Sequence, residues 1–214
     1  MAIVTRPMMK PAGDARQADD RAARTATPDP SAALVAWRRL LREDMAREMA
    51  DPRWPRALVG VAVVHFLAFM VCQALYEPIP RRDLRYLAVW FAELVAVFGV
   101  MRLLAGRHWI RRSAAVNLAA KFWTTFLILS FSLVSLNSLM GIDPPWFKSA
   151  WCTLSTFFFA SLAWLFSPLF FIPAVQMWAT GLLMATFDQY SYAIFGVSWS
   201  LSLCGVAIRL RRGR

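Results

Sequence analysis

Glu93 and His65 are the two residues of this 214-residue chain whose type and setting point to chemistry. Both stand inside long apolar runs. An ionised carboxylate in a hydrocarbon interior costs at least about a few kcal/mol, so Glu93 must be protonated, paired or facing a wet cavity. An imidazole beside a carboxylate can exchange a proton near neutral pH, and can equally serve as a hydrogen-bonded clamp between helices. Counting about 1.5 Å per residue from one membrane edge puts His65 roughly 12 Å deep and Glu93 roughly 18 Å deep. Two side chains on neighbouring antiparallel helices span that offset, so a His65–Glu93 pair is expected.

Other chemistry finds little support. The only histidines are His65 and His108, and the second lies in a basic segment between Arg107 and Trp109, far from His65 in depth. No metal site and no haem or other cofactor is expected from them. Cys72, Cys152 and Cys204 all fall in apolar runs without CxxC spacing and read as small packing residues. No Ser-x-x-Lys or Gly-x-Ser-x-Gly motif appears, so no catalytic residue is assigned. Hydroxyl residues are dense around Thr124, Ser130 and Ser135, and again around Thr153 and Ser161. They suit close helix packing. The alternative is a hydrophilic translocation path with Asn137 and Gln176 as its polar lining. Gly196 and Ser200 form a small-xxx-small pair, which marks close helix contact or self-association.

The elements that must hold these residues are membrane spans. Hydrophobic residues make up 58% of the chain and charged ones 17%, with a mean hydropathy of +0.45; soluble domains are about a quarter charged. Apolar runs cover about 57–76, 86–105 and 122–142. A further run over 146–187 is too long for one crossing and is split at Ser167-Pro168, because proline cannot continue the helix ladder. The last run covers about 190–208. The expected fold is an all-α polytopic membrane protein, a bundle of about six transmembrane helices within 57–208. Four or five spans plus a re-entrant segment is the alternative.

The flanks read differently. Residues 1–30 are rich in Ala, Arg, Asp and Pro and are expected to be disordered. Residues 31–50 form an amphipathic helix, with Ser31 as N-cap and Leu34, Trp37, Leu41, Met45 and Met49 on one face. Trp37 with Arg38, Arg39 and Arg42 suits a membrane surface; a docking helix for a partner protein is the competing reading. Residues 209–214 are a basic tail.

The net charge of +11 fits topology and anionic lipid better than nucleic acid, since the basic residues are scattered over several membrane-edge segments. Of the 24 Lys and Arg, only Arg81, Arg82, Arg85 and Lys148 fall outside the set of segments shared by the two termini. That asymmetry places both termini on the cytoplasmic face, in a membrane expected to be a bacterial inner membrane. The functional expectation is an accessory, assembly or scaffold subunit of a larger membrane complex, without catalysis of its own. It would meet lipid and either a membrane-protein partner or a second copy. The alternative is a small transporter or channel moving protons or cations through His65 and Glu93.

Overall fold

The computed structural model describes residues 29–76, 84–140 and 144–212, without the side chains at 84, 137–140 and 144–147. The tail expected over 1–30 therefore lies almost wholly outside the described residues, as do Arg81, Arg82 and the Asn137 side chain. Among the described residues the chain forms seven α-helices: α1 Pro30–Met49, α2 Arg53–Tyr76, α3 Leu84–Leu104, α4 Ala114–Met140, α5 Pro144–Leu165, α6 Phe171–Thr186 and α7 Ser191–Arg212. The protein is an all-α polytopic membrane protein. Five segments are long and apolar enough to cross a bilayer: Arg53–Tyr76, Arg85–Leu104, Ala114–Leu136, Pro168–Thr186 and Asp188–Arg212. α5, with Lys148 and its Ser and Thr residues, is not among them.

Each helix exposes one apolar face and buries another. On α3 the buried positions are Tyr86, Trp90, Glu93, Val97 and Met101, an inward stripe at steps of three and four, while Phe91 and Val95 are exposed. On α2 the matching stripe is Ala57, Val61, His65, Phe69 and Cys72. Exposed leucines, valines and phenylalanines on the outer faces are what a lipid solvent permits.

The chain reverses where local chemistry dictates. Gly106 adopts a φ of 105° after α3, a conformation that residues with a Cβ rarely take. Ser167 is extended, with φ −155° and ψ 131°, and Pro168 follows at the first position of a short 3-10 turn. The 146–187 run thus becomes two helices packed antiparallel. Trp164 meets Phe171 beside the turn, Cys152 meets Met184 further along, and Lys148 reaches Asp188 at the far end.

α1 is capped by Asp29 rather than Ser31. The Asp29 carboxylate accepts from the Ser31 backbone N–H at 3.0 Å, and Pro30 occupies the first helical position, where its missing N–H goes unneeded. α4 starts at Ala114, earlier than the hydropathy onset near 122, because Ser113 accepts from the Val116 N–H at 3.2 Å. Asp44 adds a second cap, accepting from the Ala115 N–H at 2.9 Å. Two of the four orphan donors of that helix start are satisfied this way. Lys121 consequently sits within α4.

From Arg38 onward α1 is fastened to the bundle. Leu41 is buried, and Met45 and Met49 pack against the core. Arg112 contacts Asp51 at 2.5 Å and Glu48 at 3.5 Å, and the Trp54 indole N–H donates to Glu48 at 3.4 Å. Arg38 donates to the Trp164 carbonyl oxygen at 2.7 Å, and Arg39 pairs with Glu43 one turn on.

α2 and α7 approach most closely. A Cβ at Gly196 would lie 2.6 Å from the Phe69 Cβ, and the Ser200 hydroxyl donates to the Ala62 carbonyl at 2.9 Å. The small-xxx-small pair therefore serves a contact within the chain. Gly196→Ala should lower stability by about 1–3 kcal/mol through overpacking; thermal unfolding in detergent with no loss would contradict this packing. The Asp51 carboxyl is held below its ordinary value of 3.8, first by the Arg53 backbone N–H, with Arg112 adding and desolvation opposing. Its contribution is thus complete above about pH 4 and is lost as pH falls through the lowered value. Asp51→Asn should reduce hydrogen-exchange protection of residues 38–49 at pH 7 and shrink the loss seen on acidification. Unchanged protection at neutral pH would contradict the fastening role.

Candidate functional site

The inward stripes of α2 and α3 bring His65 and Glu93 together. Nδ1 of His65 contacts Oε1 of Glu93, with both residues buried. The pair joins two antiparallel helices at mid-length, where no bulk water competes for either group. The second ring nitrogen, Nε2, is buried and has no hydrogen-bond partner among the described residues. Proton placement couples the two ends of the imidazole. An ionised Glu93 accepts from Nδ1–H and leaves Nε2 an acceptor when the ring is neutral. A protonated Glu93 donates to Nδ1 and makes Nε2–H a donor.

The pair lines a narrow cleft of about 60 Å³ between α3 and α4. Its floor comes from Phe69 of α2, Trp151 of α5, and Phe195 and Trp199 of α7. The aromatic packing around it is tight. Phe126 stacks on Trp199 with centroids 5.2 Å apart and planes 11° apart. Trp90 and Phe69 meet at 4.8 Å, and Trp90 and Trp151 at the same distance, all edge to face. His65 meets the Trp199 ring edge to face at 5.8 Å. Such contacts contribute about 0.5–1.5 kcal/mol each beyond area burial. They fix the cleft walls and the imidazole plane.

Gln176 is engaged elsewhere. Its side-chain N–H donates to the Ser198 carbonyl at 2.9 Å and to the Ser198 hydroxyl at 3.1 Å, and Thr180 meets the same hydroxyl at 2.5 Å. This is a polar stitch between α6 and α7. It does not touch the His65–Glu93 cleft. The Asn137 side chain lies outside the described residues. Trp37 belongs to the exposed start of α1, and Arg42 is exposed on the same helix.

Residues that the sequence reading passed over complete the picture. Trp199 lines the cleft although only small neighbours flagged that stretch. The signal was its position, since a tryptophan well inside a span departs from the usual interfacial placement. Lys148 falls at an outer membrane edge by sequence, but its side chain is 1% exposed. Its ammonium donates to Asp188 Oδ1 at 2.9 Å and to the Asp188 carbonyl at 3.1 Å. It also sits 4.1 Å from the centre of the Tyr76 ring, a cation–π contact. Nothing in the local sequence marks Lys148 as buried, because its partners lie on α2 and past α6. Nearby, Gln73 donates to the Gln189 carbonyl at 2.7 Å and accepts from the Ala193 N–H at 3.1 Å.

Removing one member of a buried pair leaves the other unsatisfied, at a cost of about 1–3 kcal/mol. Glu93→Ala should therefore destabilise the bundle by that amount, while Glu93→Gln, which keeps a hydrogen-bonding group, should lose markedly less. Equal unfolding midpoints for the two variants in detergent would contradict the clamp. No protein-family model matches this chain, and neither a curated protein nor a solved structure matches it.

Proposed function

We propose that this chain is a non-catalytic integral subunit of a larger membrane complex, seated in a bacterial inner membrane with both termini cytoplasmic. The observation that carries the reading is how the interior polar groups are used. Gln176, Thr180 and Ser198 bond one another, Gln73 bonds backbone beyond α6 and in α7, Lys148 is held by Asp188, and Ser200 is tied to Ala62. Groups satisfied within the bundle stabilise packing and offer no ladder of free sites to a polar solute. The orientation is supported by the basic residues that accompany α1, the α3–α4 connection and the end of α7. Both termini on one face would require α5, which packs antiparallel on α6 but is not among the five apolar spans, to make a sixth crossing.

A second reading keeps one specific observation in its favour. His65 and Glu93 touch in the bundle interior, and the far imidazole nitrogen is unpartnered. That arrangement suits a proton exchanged within the membrane.

Extraction from native membranes in mild detergent separates the two. The subunit reading expects a stoichiometric larger complex on native gels and by mass photometry. It also expects no pH-driven flux from the chain alone in sealed vesicles. A solitary monomer whose proton flux disappears in Glu93→Gln would overturn it in favour of proton handling.

A further inference from the structure

At the end of the bundle where α1 is fastened, a groove of about 320 Å³ lies between α6 and α7, with Met49 of α1 in its lining. Leu201, Gly205 and Arg209 of α7 all line it. They recur at steps of four, so one helix face presents a leucine, then a gap, then a guanidinium. At about 1.5 Å per residue the apolar part extends roughly 12 Å along the helix from Arg209. Leu169 and Ile172, at the start of the sixth apolar stretch, form the opposite wall.

The groove is on the outer surface of the bundle. Leu169, Ile172 and Leu201 are 45%, 68% and 60% exposed. All three belong to segments apolar enough to cross a bilayer, so the groove faces hydrocarbon. Gly205 is what keeps it open. A glycine weakens a helix interior, and no contact within the chain asks for one here. A Cβ at Gly205 would meet no atom within 4 Å, and its backbone is ordinary helix. The missing side chain leaves room for a molecule lying along α7.

Arg209 sets the charge of that molecule. Among the described residues it makes no hydrogen bond or ion pair, and no acidic residue lines the groove. Gln176, which also lines it, spends its amide N–H on Ser198. Arg212, three positions after Arg209, lies on the same side of α7, whereas Arg211 falls on another face. The matching ligand therefore carries a negative headgroup at the membrane edge and an apolar chain directed into the bilayer. A soluble anion would leave the apolar length unused, and a neutral lipid would leave the guanidinium unanswered.

We propose that this groove binds one acidic glycerophospholipid, with its phosphate on Arg209 and Arg212 and one acyl chain along Gly205 and Leu201. The basic last turn of α7 is where a helix meets the headgroups of an anionic leaflet. The site stands whether or not the chain works in a larger complex.

The test is native mass spectrometry of the full chain in mild detergent, titrated with phosphatidylglycerol and separately with phosphatidylcholine of the same chains. One phosphatidylglycerol per chain is expected to bind more tightly than any further copy, and more tightly than phosphatidylcholine. Arg209→Gln should weaken this first site about fivefold, as loss of one arginine beside an anionic headgroup does. Arg211→Gln removes the same charge from another face of the same turn and should leave the site unchanged. Gly205→Phe fills the groove without meeting a neighbour at its Cβ, and should abolish the site. Equal retention of the two lipids would overturn the proposal. Equal weakening by Arg209→Gln and Arg211→Gln would do so too, since it marks a diffuse basic surface. Undiminished lipid retention by Gly205→Phe, with or without loss of a protein partner, would be equally decisive against it. None of these outcomes depends on partner recovery or on proton flux.

Discussion

The arrangement depends on one constraint: inside a bilayer a polar group has no water to fall back on, so leaving it unpaired is costly. Glu93 shows the constraint at its strongest. A carboxyl group placed on the buried stripe of α3 has to meet a donor or acceptor, and α2 supplies His65 at matching depth. That single contact fixes which faces of α2 and α3 turn inward. It thereby sets the positions of Phe69, Trp90 and Val97, which line the same cleft. The aromatic stack of Phe126 and Trp199 then forms around the imidazole rather than independently of it.

The two ends of the bundle obey the same rule by different means. At one end charged groups form an exposed to half-buried network. Arg112, Asp51, Glu48 and Asp44 tie the second half of α1 to the starts of α2 and α4. Surface ion pairs contribute little singly, about 0–1 kcal/mol each. Here they act with the burial of Leu41 and with two helix caps. At the other end one cation is taken inside. Lys148 is enclosed by Asp188 and the rings of Tyr76 and Tyr192. The ammonium is satisfied by charge, carbonyl and ring together, which is the condition for burying an ion without a large desolvation penalty. Between these ends the helices are held by shape, through Gly196 against Phe69, and by single polar stitches such as Ser200 to Ala62.

Much of this was legible in the chain itself, for identifiable reasons. Hydropathy runs mark lipid-facing helices because the solvent there tolerates nothing else, and Pro168 marks the reversal because its backbone cannot continue a helix. The depth argument for His65 and Glu93 needed only the helical rise and an antiparallel assumption. What the sequence hid was whatever depends on rotation or on distant partners. Gln176 looked like pore lining because its type is polar, yet its orientation toward Ser198 makes it a stitch. Ser31 looked like a cap because hydroxyls often are; Asp29 takes that role because Pro30 can occupy the first helical position. The onset of α4 was masked because Ser113 and Asp44 satisfy its first N–H groups well before the apolar run begins. The cleft itself is a product of sparse contact between α3 and α4, and no local pattern announces a gap.

The account rests most directly on the His65–Glu93 contact within the membrane. Only two histidines are present in the chain, so a sample labelled with nitrogen-15 in histidine and carbon-13 in glutamate carboxyls is readily assigned in lipid bilayers. Solid-state dipolar recoupling should show strong coupling between Nδ1 of His65 and the Glu93 carboxyl, and no such coupling from Nε2. If the Nδ1 signal shows no carboxyl neighbour, the two helices do not meet as described and the cleft built on their contact does not exist.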